Sequence, residues 1–184
     1  MNSDRLVQPF PRPGRAVQAA FDQLEELGRF QALNLRIQGD PASFPRPWDP
    51  ATITNTDMRM QLWTWLSQVV EWVNAEYAWE VDDMIPACWP RHPALVHEIG
   101  TLADQRRLAG LAATSDTLTR WHETTLPNFW LRMRTQTRGQ CQERHGAWPA
   151  RARHQRNLSM PAWQERNGIL LQDLQAEPGR RPTR

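Results

Sequence analysis

The stretch TDMRMQLWTWLSQVVEWVNAEYAW, from Thr56 to Trp79, decides the fold. Spaced at about 100° per residue, Trp63, Leu66, Val70, Val73 and Tyr77 form one stripe, with Leu62, Trp65, Val69 and Trp72 beside it. Thr64, Ser67, Gln68, Glu71 and Asn74 fill the remaining arc. An apolar face wider than half the circumference predicts a helix covered by two or more neighbours. Asn55 or Thr56 can cap its start.

Elsewhere the pattern is again helical. Upstream, Val17, Ala20, Phe21, Leu24 and Leu27 share a face, and Gly28 suits a C-terminal stop. The prolines of 2–14 predict an extended entry, and Pro41, Pro45, Pro47 and Pro50 a stiff linker. Downstream, Pro93 opens a helix with Leu95, Val96, Ile99, Leu102 and Ala103 inward, ending near Gly110. Ser115 caps a fourth, with Leu118, Trp121, Thr125 and Phe129 inward and Pro127 forcing a kink or break. Trp130 and Leu131 are expected to be exposed, as a dimer contact or a seat for the tail, and oligomeric state stays open. No segment alternates with a period of two.

The expectation is an all-α fold: a small irregular bundle of about four helices with a basic, partly disordered C-terminal tail. Three segments follow: 1–54, an N-terminal helix and Pro-rich linker; 55–134, a helical core; and 135–184, an arginine-rich tail. A short helix near Ser159 and Pro161 would carry Trp163, Leu170, Leu171 and Leu174, and Glu177–Arg184 reads as disordered. No apolar run approaches the roughly 20 residues of a bilayer span, and no secretory leader is evident, so a soluble, cytoplasmic protein without membrane partners is expected.

All 22 basic residues are arginine, alongside 15 prolines and 10 tryptophans, a bias that fits a GC-rich genome. Charge is segregated. Met1–Leu131 holds 11 arginines and 16 acids, net −5, whereas Arg132–Arg184 holds 11 arginines and 4 acids, net +7. The tail arginines Arg132, Arg134, Arg138, Arg144, Arg151, Arg153 and Arg156 therefore stand as candidates for an acidic partner: DNA, RNA, a protein surface or the chain's own body.

Candidate chemistry is sparse. Cys88 and Cys141 make no disulfide framework and read as reduced thiols. Cys88, His92 and His97 give C-x3-H-x4-H, ligand types that zinc takes. A structural site needs a second cysteine–histidine pair, and none is expected. Cys88, His92 and His122 remain outside candidates, with no metal or cofactor expected. His122 falls on an apolar face, as a core histidine or a general base. Glu76 and Arg106 sit in apolar arcs and are expected to pair, or each to find an equivalent partner. Glu80, Asp82 and Asp83 read as a solvated loop rather than a cation site. Trp63, Trp65, Trp72 and Trp121 belong to the core; Trp48, Trp89, Trp148 and Trp163 are freer for partner contacts.

Trp72-Val73, Tyr77, the run Cys88-Trp89-Pro90-Arg91-His92-Pro93, Leu95 to Leu102, Trp121-His122 and Leu126-Pro127 together carry a resemblance. The stretch from about Trp65 to Arg134 resembles a domain of unknown function found in small proteins of high-GC Gram-positive bacteria, their plasmids and phages. The resemblance implies a helical domain encoded near mobile-element genes and supplies no activity or catalytic residue. The expected function is a non-enzymatic accessory or adaptor protein. The alternative is a metal-dependent or hydrolytic enzyme using Cys88, His92, His122 and Glu123.

Overall fold

The computed structural model describes residues 6–33, 40–137, 141, 145–146 and 148–175. Among them every regular element is helical, so the fold is all-α, with six helices rather than four. We label them α1 (Arg15–Ala32), α2 (Thr56–Glu76) and α3 (Pro93–Leu111). α4 joins three consecutive pieces, Asp116–Arg120, a π-helical turn Trp121–Thr125, and Leu126–Thr137. α5 (Arg151–Asn157) and α6 (Met160–Gln175) follow. The chain divides into two compact units, 1–145 and 146–184, so the N-terminal helix and linker belong with the core.

In the first unit α2 is the hub. Leu62, Trp65, Leu66, Val69, Val70, Trp72 and Val73 are buried, and α1 and α3 pack against it. Asn55 caps it by accepting a hydrogen bond from the Met58 N–H, 3.0 Å, satisfying a donor the first turn leaves unpaired. The extended entry lies along α2, where Trp65 and Trp72 donate from Nε1 to the Pro11 and Gln8 carbonyls at 3.0 and 2.9 Å. The proline linker forms two 3-10 turns, Pro41–Ser43 and Pro50–Thr52, capped by Asp40 and Asp49. Its Trp48 carbonyl comes so close to Gly100 that a Cβ there would lie 3.0 Å from the oxygen. That approach is why α3 carries a glycine mid-helix, where it costs helix stability.

Several local expectations change. Gly28 does not stop α1, which continues to Ala32. Ser115 precedes α4 without a side-chain cap bond. Pro127 does not break the run, because a π turn precedes it. Proline cannot donate to the carbonyl four residues back, and the wider i→i+5 turn absorbs the misfit. That turn puts Trp121 and Leu126 on the buried face, five residues apart, with Phe129 and Met133 after them. His122 is thereby displaced to the surface, where its Nε2 lies 3.2 Å from the Tyr77 hydroxyl. Trp89 is buried rather than free, Trp48 stacks on Phe21, and Trp130 is half-buried against the core.

Glu76 and Arg106 form no ion pair. Glu76 accepts the Gln8 N–H at 3.1 Å, and the Arg106 guanidinium lies over the rings of Phe10, Trp72 and Trp121 at 5.3, 5.3 and 5.7 Å. The buried arginine is its neighbour Arg107, held by Asp104 at 3.0 Å and stacked over Phe21 at 3.8 Å. Burial raises the Asp104 carboxyl above its usual range, and Arg107 opposes the rise.

The second unit holds α5, where no helix was expected, and α6; neither buries a residue. Residues 177–184, expected to be disordered, lie outside the described residues. No described helix is long and apolar enough to cross a membrane.

Candidate metal centre

Between α2 and α3 the chain makes two successive tight turns. Asn74 clamps the first, accepting the Ile85 N–H at 2.8 Å and donating to the Ile85 carbonyl at 3.0 Å. Trp89 then plugs into the core beside Trp63, ring centroids 5.3 Å apart. The 3-10 turn Trp89–Arg91 follows, and His92 precedes Pro93 at the start of α3. With Trp89 anchored inward, Cys88 and His92 sit on the same side of this turn, and their Sγ and Nε2 atoms are 3.5 Å apart.

A second pair meets them there. Cys141 and His145 follow α4 in the chain with the same C-x3-H spacing, supplying the cysteine–histidine pair expected to be absent. Cys141 is buried, and its Sγ lies 3.4 Å from the His92 Nε2. The His92 and His145 rings meet edge to face at 4.8 Å. All four residues offer a donor atom, and these atoms lie within 4.8 Å of one another.

The stretches preceding each ligand pair are also tied to one another. Arg134 of α4 pairs with Asp83 of the 3-10 turn Val81–Asp83, a turn closed by a reciprocal capping box with Glu80.

Two of the six donor–donor distances fit a tetrahedral ion, and the widest spacing, up to 4.8 Å, would have to close around it. Zinc bonds sulfur at about 2.3 Å and nitrogen at about 2.05 Å, which separates a sulfur from a nitrogen by about 3.6 Å. The two sulfur–nitrogen distances here are 3.5 and 3.4 Å. His145 Nδ1 is buried with no hydrogen-bond partner among the described residues, a costly arrangement for a polar atom. Burial, and then the neighbouring Cys141 thiol, pushes the Cys88 thiol above its usual range. Burial, and then repulsion from His145, pulls His92 below its own.

The remaining candidates go elsewhere. His97 faces Asp49, Nδ1 to Oδ1 3.4 Å. His122 and Glu123 are exposed and lie outside the cluster. Of the tail arginines, Arg132 makes a two-pronged pair with Glu98 at 2.8 and 2.7 Å, and Arg134 is held by Asp83. Arg138 and Arg144 lie outside the described residues. Arg151, Arg153 and Arg156 are exposed on α5, their guanidinium groups without an acidic partner among the described residues.

Compared with known proteins, the chain matches no family model, no curated protein and no solved structure.

Proposed function

We propose that this chain is a structural zinc protein. Cys88, His92, Cys141 and His145 would take one zinc ion as a Cys2His2 set, pinning the turn before α3 to the segment after α4. The observation that carries this reading is the convergence of four such donors, within 4.8 Å, from two C-x3-H pairs remote in sequence. Four protein donors fill a tetrahedral zinc, so no position remains for a substrate or a reactive water. The metal then holds the fold, and the protein acts as a non-enzymatic scaffold.

Elemental analysis of the full chain, purified without chelator, tests the reading. One zinc per chain is expected, with the His145→Ala and Cys88→Ser variants losing it. A metal-free protein that takes up no added zinc, or variants that bind it as well as the parent, would end the proposal.

A second observation bears on what the scaffold carries. Arg151, Arg153 and Arg156 are free of acids among the described residues, Trp148 and Trp163 are about half exposed, and neither helix of the second unit buries a residue. Such a surface supports an accessory role in which the basic tail engages an acidic partner, nucleic acid or protein. Salt-sensitive DNA or RNA binding by the full chain, abolished by removing 146–184, favours nucleic acid. Indifference to both at low salt refutes that version.

A further inference from the structure

Resting on the zinc reading, we infer that the centre is a redox-reversible staple. A hydroperoxide would convert its two thiolates into a Cys88–Cys141 disulfide and expel the metal. These are the only cysteines of the sequence, so oxidation has no competing pair within the chain. Both sulfurs lie within 3.5 Å of the single His92 Nε2 and within 4.8 Å of one another.

Their exposures differ in the way the reaction needs. Cys88 is partly accessible, whereas Cys141 is buried. Cys88 is therefore the sulfur a peroxide reaches first, and Cys141 the one placed to resolve the product. Cys141 also lies in a turn outside any helix, so its sulfur can advance to bonding distance without unwinding one.

The chemistry balances with one peroxide. The Cys88 thiolate attacks a peroxide oxygen, forming a sulfenic acid and releasing hydroxide. The Cys141 thiolate then attacks that sulfur, forming the S–S bond and releasing a second hydroxide. Two electrons pass from the sulfurs to the peroxide, and zinc departs with its charge unchanged. Two imidazoles remain, too few to retain a structural zinc. The same two segments stay joined, now covalently, and dithiol reductant with zinc reverses the exchange.

The test is titration of the zinc-loaded full chain with hydrogen peroxide in the presence of a chromogenic zinc chelator. Zinc release in step with the loss of both thiols is expected. The intact mass should fall by two hydrogens, a Cys88–Cys141 cross-linked peptide should appear, and zinc binding should return after dithiothreitol. The His145→Ala variant keeps both thiols but loses a ligand, so it should cross-link several-fold faster than the loaded parent. Zinc that stays bound, thiols that pass to sulfinic acid without a cross-link, or a variant that cross-links no faster would each overturn the inference. A parent chain that binds no zinc before peroxide is added fails at the earlier reading; retained zinc under peroxide fails this one alone.

Discussion

Stripping the metal from the full chain should lower its melting temperature by an amount that its placement sets. His92 and Cys141 stand 49 residues apart. A cross-link closing a loop of that length removes about 14 cal/mol/K of entropy from the unfolded chain, or about 4 kcal/mol at 25 °C. The Arg134–Asp83 pair would not replace it, because Arg134 is half exposed and solvent screening holds such a pair to about 1 kcal/mol. In a body the size of the first unit, each kcal/mol shifts the midpoint by about 3–4 °C. The expected fall is therefore roughly 12–16 °C, with excess free zinc widening it by mass action. Calorimetry before and after chelation, with metal content measured on the same samples, reads the shift. A midpoint that moves by less than about 3 °C after confirmed zinc removal would refute the assignment of a structural role, being several-fold below the shift that loop closure supplies.

Other substitutions probe the parts that position the site. Asn74→Ala leaves the Ile85 N–H and carbonyl without partners and should cost about 2 kcal/mol in a urea titration; by loosening the turn it should also speed zinc loss to a chelator. Gly100→Val drives side-chain atoms against the Trp48 carbonyl, already 3.0 Å from a built Cβ, and should cost about 2 kcal/mol by the same titration. Arg132→Gln breaks only a surface pair with Glu98 and should change stability by less than about 1 kcal/mol; a larger loss would mean the pair is not the surface contact described.

Much of the body was legible in residue periodicity. The stripes of Thr56–Trp79 identified the hub, and Leu95, Val96, Ile99, Leu102 and Ala103 were read inward and are buried. Where periodicity failed, a specific competing effect won. The fourth helix inserts a π turn ahead of Pro127, and a regular 3.6-residue count run across it puts His122 on the wrong face. For Arg106 and Glu76, ion pairing is one answer to charge in an apolar arc; three aromatic rings for the one and a backbone N–H for the other supply the alternative of separate partners. The centre itself has a signal in the sequence: C-x3-H occurs at Cys88 and again at Cys141. Grouping everything after Arg134 as a basic tail separated the second pair from the first. Charge segregation marked a real trend in composition, but the body reaches His145.

The chain order of the four donors has a mechanical consequence. Two precede α3 and two follow α4, so a bound ion closes a ring whose contents are those two helices. Tension applied to the ends of the polypeptide would then run from the turn before α3 straight through the metal, bypassing the enclosed helices. Roughly 170 Å of contour, at about 3.5 Å per residue, would stay out of the line of force until a coordinate bond ruptured. Oxidation of the two sulfurs would trade that force-labile link for a covalent one, giving the same chain two settings of mechanical resistance.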